Sequence, residues 1–320
     1  MNKKRFPLFV LFIAFASFFA PDEGFGRTNI THATGTFEGK LDANIFYQYW
    51  KIEPSKAIMV LVHGFGEHSD RYTDMANHFS RMGLSIYTLD HRGHGRSDGP
   101  RWNPESFDYY IDDLKTYIKK VKAWESEKKI FMLGHSLGGE IALKYTIVHG
   151  EDLEGVIVSA PVVGSYLALP SLGRKAVPTS TARLLGPVLD AVCKVIPNAY
   201  LPGTQINPHF LNHDPKNYMA YANDPIVCHE PMKLRLLAEL SKNMVYLQDH
   251  ASNLQVPCLI MCGSKDMLVP PDAVKAFHEN LKIEDKTFIM YQDFYHEIFN
   301  EIRKDQVYAD VDAWLLTRLQ

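Results

Sequence analysis

Short apolar runs and amphipathic stretches alternate along most of this chain. Residues 57–62 and 84–89 are almost continuously apolar and have the length of a buried strand. Residues 129–133, 155–160, 257–262 and 286–291 have the same character. Between these runs, residues 72–82, 108–124 and 305–319 repeat their apolar positions at helical period, and a further helix opens near Glu140. Strands that are apolar on both faces, with helices between them, predict a mostly parallel sheet covered on both sides, an α/β protein. Ahead of this core, residues 32–51 alternate weakly and predict two antiparallel strands joined near Gly39-Lys40.

The rhythm breaks after residue 161, and no strand is expected between there and residue 256. Leu184, Leu185, Val188, Leu189, Val192, Val195 and Ile196 recur at helical spacing, and residues 232–247 form a second apolar helix. A crossover between parallel strands needs only about a dozen residues. Residues 162–252 therefore read as a helical cap inserted into an α/β domain made of residues 28–161 and 253–320. An apolar helical stripe is ordinarily core, and that is the first reading of the one beginning at Leu184; a lipid-facing surface is the alternative.

The first residues are set apart. Lys3, Lys4 and Arg5 precede an apolar stretch over residues 6–20, interrupted by Pro7 and followed by Pro21. This is the pattern of a secretory signal peptide or, if uncleaved, of an N-terminal anchor over residues 1–27. It predicts a periplasmic, secreted or membrane-anchored protein. With 46% hydrophobic and 22% charged residues, the 320-residue chain can build a large core. The net charge of −3, without basic blocks past the start, argues against nucleic acid as a partner. Cys258 and Cys262 share one strand at a spacing that no relaxed disulfide spans, so they read as small core residues.

The chemistry centres on Gly134-His135-Ser136-Leu137-Gly138-Gly139, which lies between a strand and a helix. Strand, G-x-S-x-G, helix is the nucleophile elbow of α/β-hydrolases. Glycines at 134 and 138 let strand and helix approach, and the turn holds the serine hydroxyl clear of the sheet. A serine needs a base to take its proton, and the base needs an orienting acid. In this fold the order is Ser, acid, His. Asp266 and His296 both follow strands, at the sheet edge where such sites form. Asp293 and Asp272 are fallback acids. The loop His63-Gly64-Phe65-Gly66 follows the first long parallel strand, so the backbone N–H groups of Phe65 and Leu137 are the oxyanion candidates. A metal reading of His91 with His94, or of His209, His213 and Asp214, lacks further ligands.

These motifs, together with Asp90-His91-Arg92-Gly93-His94-Gly95-Arg96-Ser97, Ser159-Ala160-Pro161, Asn223-Asp224-Pro225 and Tyr295-His296-Glu297, resemble the monoacylglycerol lipase and lysophospholipase family of serine hydrolases. The resemblance runs from about residue 35 to the end. It implies Ser136, Asp266 and His296 as the catalytic triad and Phe65 and Leu137 as oxyanion donors. It places Glu67, Arg71 and Tyr221 around the polar end of a small lipid ester. On the alternative reading of the stripe at Leu184, the cap touches a membrane or micelle transiently. It implies no cofactor. One position departs: animal monoacylglycerol lipases carry a second histidine three residues after the catalytic one, where this chain has Phe299. A peptidase or small-ester hydrolase on the same scaffold, and a non-catalytic binding protein that kept it, are the rival readings.

Overall fold

The computed structural model describes residues 30–169, 173–177 and 179–319. The segment read as a signal or anchor lies outside the described residues. The chain opens with strand β1 (Thr31–Glu38), which turns at Lys40–Asp42 into an antiparallel partner, β2 (Asn44–Lys51). There follow β3 (Ala57–Val62), α1 (Thr73–Arg81), β4 (Leu84–Leu89), α2 (Asp108–Trp124), β5 (Ile130–His135), α3 (Leu137–His149) and β6 (Gly155–Ser159). An inserted segment comes next, with β7 (Ser165–Leu169), β8 (Gly173–Val177), α4 (Thr179–Val195), α5 (Pro215–Asn223) and α6 (Leu234–His250). The core then resumes with β9 (Cys258–Gly263), α7 (Pro271–Asn280), β10 (Lys286–Tyr291) and α8 (Asp305–Leu316).

The main sheet has eight strands in the order β1-β2-β4-β3-β5-β6-β9-β10. It is antiparallel from β1 to β4 and parallel from β4 to β10. Side chains alternate across a strand, and here both faces are covered. Ile58, Val60, Met132, Val158 and Ile260 point into one core with Leu114 and Tyr117 of α2, Ile141 of α3 and Phe277 of α7. Met59, Leu61, Phe131, Ile157 and Met261 point into the other with Phe79 of α1 and Val311 and Trp314 of α8. That two-sided burial is why these strands read as unbroken apolar runs. Because β3, β5, β9 and β10 run parallel, the loops that follow them open at the same edge of the sheet. Cys258 and Cys262 are buried in β9, and all four cysteines are free thiols.

Two expectations fail in the inserted segment. β7 and β8 form a separate antiparallel hairpin where no strand was expected. The apolar stripe of α4, read first as core, is exposed instead: Leu184 is 76%, Val188 61% and Val195 80% accessible. Charged residues of α4 point at α6: Arg183 donates to Asp249 at 3.0 and 2.5 Å, and Asp190 pairs with Lys242 at 2.8 Å. While these two charged side chains reach α6, the helix presents apolar side chains outward, the reverse of an ordinary surface helix. No helix of the described residues is long and apolar enough to cross a membrane.

Candidate active site

Ser136 sits between the last residue of β5 and the first of α3, with φ 55° and ψ −117°. This left-handed backbone is uncommon for a residue with a Cβ and marks a strained turn. Its neighbours explain how the turn closes. A Cβ on Gly138 would stand 2.0 Å from the Val62 carbonyl oxygen, and one on Gly134 would stand 2.3 Å from that of Gly138. Only glycine fits where helix and strands meet. The loop after β3 lies directly alongside, since a Cβ on Gly64 would be 3.3 Å from Ser136 Cβ. As the first residue of α3, Leu137 has an N–H that no acceptor inside the helix can take. No described backbone or side-chain acceptor takes the N–H of Leu137 or of Phe65.

His296 and Asp266 meet across the loops that follow β10 and β9. Asp266 Oδ2 is 2.7 Å from His296 Nδ1, with both side chains buried. The other carboxylate oxygen, Oδ1, accepts the N–H groups of Leu268 at 2.7 Å and Val269 at 2.9 Å, so the acid is fixed in place. Burial lowers the His296 pKa, but the charge and hydrogen bond of Asp266 outweigh it and raise it above the usual 6.5. Glu297 and Glu67 act in the same direction. Among the described residues no hydrogen bond joins His296 to Ser136; such bonds often form only once substrate is bound. The fallback acids sit apart from this pair. Asp293 is exposed and pairs with Lys265 at 2.8 Å, and Asp272 is exposed in the first turn of α7.

Glu67, Arg71 and Tyr221 do come together, but not as the lining of an open polar pocket. Arg71 is ion-paired with Glu67 and lies 4.9 Å beneath the Tyr221 ring. Glu67 and Tyr221 are buried, and the hydroxyl of Tyr221 donates to the Cys228 carbonyl at 3.2 Å. Their polar atoms are spent on protein partners. Two neighbours that the sequence reading passed over belong to the same cluster. Glu297 bonds Arg71 at 2.8 and 3.1 Å, and the ring of His135 is 4.8 Å from that of His296. The signals were present: Glu67 and Arg71 are spaced i, i+4, and Glu297 and His135 each adjoin a triad candidate.

The histidines considered as metal ligands have other partners. His91 Nε2 is 3.0 Å from the His63 carbonyl and His94 Nδ1 is 3.0 Å from that of Arg92; burial drops their pKa to about 3 and about 4. His213 pairs with Glu301 at 2.8 Å, and Asp214 caps α5 through the Lys216 N–H at 2.9 Å. Among the described residues no three His, Cys, Asp or Glu side chains converge as a metal site.

With this geometry in hand, comparison with known proteins is decisive on the family. The Hydrolase_4 family, described as serine aminopeptidase, S33, matches residues 53–303. The chain belongs to this family. It is 28% identical over 292 residues to a monoacylglycerol lipase of Mycolicibacterium smegmatis, covering 90% of this chain and 99% of that one. It is 28% identical over 278 residues to a monoglyceride lipase of Rattus norvegicus, covering 86% and 88%. The crystal structure of a monoacylglycerol lipase from Paleococcus ferrophilus superposes with a TM-score of 0.71 at 25% identity, over 91% of this chain and 99% of that one. The fold is that of the α/β-hydrolases.

Gly138→Ala tests the elbow geometry. The added methyl meets backbone, not a movable side chain, so a loss of roughly 2–3 kcal/mol is expected in denaturant unfolding. An unchanged unfolding midpoint would mean that α3 can withdraw from β3 without cost.

Proposed function

We propose that this protein is a serine hydrolase of single-chain lipid esters, with monoacylglycerol the first candidate and lysophospholipid the second. The observation that supports the reading is the strained elbow at Ser136, whose neighbour His135 has its ring 4.8 Å from that of His296 in the buried His296–Asp266 pair, in a chain whose relatives are named monoacylglycerol lipases. Ser136 Oγ attacks the ester carbonyl carbon while His296 Nε2 takes its proton. The N–H groups of Phe65 and Leu137 stabilise the oxyanion, each worth roughly 3 kcal/mol. Collapse breaks the bond to the alcohol, which leaves with the proton from His296. Water, deprotonated by His296, then attacks the acyl-enzyme, and the fatty acid departs as Ser136 regains its proton. Asp266 holds the imidazole in place and stabilises its cation. No step uses a cofactor. Residues 162–252 act as the cap that receives the acyl chain. The basic start and the apolar run of residues 6–20 export the chain or anchor it at a membrane.

The family description, serine aminopeptidase, supports a second reading in which the acyl group is an aminoacyl residue. A panel of monoacylglycerols, lysophospholipids and aminoacyl amides separates the two. The lipid reading predicts turnover of the glycerides far above that of the amides; the reverse ranking would replace it.

Three variants test the triad on the preferred substrate. Ser136→Ala and His296→Ala should each lower kcat by on the order of 10⁴-fold or more, and Asp266→Asn should be severe but milder. Asp293→Asn should stay near wild type. The rate should rise with pH through the raised His296 pKa, above 6.5, because only neutral imidazole is a base. A folded Ser136→Ala that keeps several per cent of the activity, or a flat profile from pH 5 to 8 with chemistry limiting, would sink the assignment.

The exposed stripe of α4 supports a docking role: a poorly soluble acyl chain must be drawn from a bilayer or micelle, and an apolar surface on the cap lowers that barrier. Leu185→Ser and Val188→Ser should weaken binding to liposomes and turnover of long-chain monoacylglycerol. Both variants should leave soluble short-chain esters and the unfolding temperature unaffected. A lowered unfolding temperature with both activities falling together would return the stripe to a packing role.

A further inference from the structure

One buried polar row beside the site takes no part in the steps above. Arg71 Nη1 donates to Glu67 Oε2 and, at 2.8 Å, to Glu297 Oε1; Nη2 donates to Glu297 Oε2 at 3.1 Å. Glu67 Oε1 accepts the Gly64 N–H at 2.6 Å and the Tyr72 hydroxyl at 2.8 Å. Glu297 Oε2 also accepts Asn212 Nδ2 and Asn300 Nδ2, each at 2.9 Å, and the Glu297 N–H donates to the Leu211 carbonyl at 2.7 Å. The row therefore ties three segments together: the loop after β3 that carries Phe65, the loop after β10 that carries His296, and the inserted segment at Leu211 and Asn212. A second tie closes the circuit. The Cys228 N–H donates to the Gly66 carbonyl at 2.7 Å, on the loop of Phe65.

The charges of the row do not cancel. Two carboxylates share one guanidinium. Glu297 stays ionised: burial works against it, but Arg71 outweighs this and holds its pKa down at about 2. The charged and titratable groups facing His296 are Asp266 from the loop after β9, Glu67 and Arg71 from the region after β3, His135 from β5, and Glu297 on its own loop. His135 does not supply the missing positive charge, since burial and the neighbouring His296 push its pKa down to about 4. Glu67, Arg71, His135, Glu297 and Phe299 border one small cavity of about 20 Å³, room for a single water. Glu67 and Glu297 are both buried, so solvent screens the surplus charge weakly.

We propose that Glu297, with Arg71 and Glu67, is a positioning group: the row fixes the His296 loop against the oxyanion loop, and its surplus negative charge favours the imidazolium formed as Ser136 attacks. This rests on the triad reading above. It gives Glu67 and Arg71 a role that does not require contact with the substrate's alcohol.

Glu297→Gln is the test, because it keeps shape and most hydrogen bonds while removing the charge. Kinetics are read on a monoacylglycerol and on a p-nitrophenyl ester of the same acid. Removing a negative neighbour lowers the His296 pKa, so the acid limb of the kcat/KM profile should move to lower pH. The kcat should fall roughly 10- to 100-fold for both esters with KM little changed. Glu67→Gln should move the limb the same way. Asn212→Ala loses a bond to Glu297 but no charge, so its limb should stay in place. An unmoved limb in both Gln variants overturns the proposal. So does a loss confined to the monoacylglycerol and expressed in KM, which would return the row to alcohol binding. Labelling of wild-type Ser136 by a fluorophosphonate keeps the two questions apart: an unlabelled wild type fails the triad reading, whereas a labelled wild type with unmoved limbs fails only this one.

Discussion

The approach of α3 to β3 is the constraint on which the rest of this site depends. A methyl group at Gly138 would lie 2.0 Å from the Val62 carbonyl oxygen, so helix and strand touch backbone to backbone. That contact forces the turn at Ser136 into its left-handed conformation and lifts the side chain off the sheet edge. It also brings the start of α3 beside the loop of Phe65. The strain is held by what lies underneath: β5 is buried on both faces, with Met132 in one core and Phe131 and Leu133 in the other. A local conformation that costs free energy survives only where the surroundings over-determine it.

Parallel strands supply the second half of the arrangement. The loops that bear Phe65, Ser136, Asp266 and His296 all follow strands of the parallel part of the sheet, and so they share one edge. Burial then makes each polar group there depend on its partners. Asp266 is held by two backbone N–H groups and His296, and Glu297 by one guanidinium and two amides. In water such contacts would be weak; in this interior they fix position, and they set the ionisation of His296 and Glu297.

Much of this was legible in the chain. Strands buried on both faces announce themselves as unbroken apolar runs, and helix 108–124 was readable to the residue. The positions of Ser136, Asp266 and His296 after β5, β9 and β10 were readable too, as was the loop carrying Phe65. The hairpin of β7 and β8 was not: Gly173-Arg174-Lys175 has no apolar alternation, and the hairpin pairs outside the main sheet. Helix α5 was missed although Asp214-Pro215 is a cap followed by proline in the first turn, a signal carried by local chemistry and not by periodicity. The outward stripe of α4 shows the limit of pattern alone. Period reveals an apolar face but not which way it points, because the groups that α4 meets, Asp249 and Lys242 among them, are distant in sequence. The row around Arg71 was half-visible for the same reason. The Glu67–Arg71 spacing is local, whereas Glu297 reaches Arg71 across 226 positions.

The account stands on Ser136 being an activated nucleophile. Incubating the protein with a fluorophosphonate and mapping the adduct by peptide mass spectrometry tests this directly. The account predicts one adduct, on the peptide containing Ser136, formed far more slowly in His296→Ala than in wild type. No adduct at Ser136, or an adduct formed as fast without His296, would contradict it.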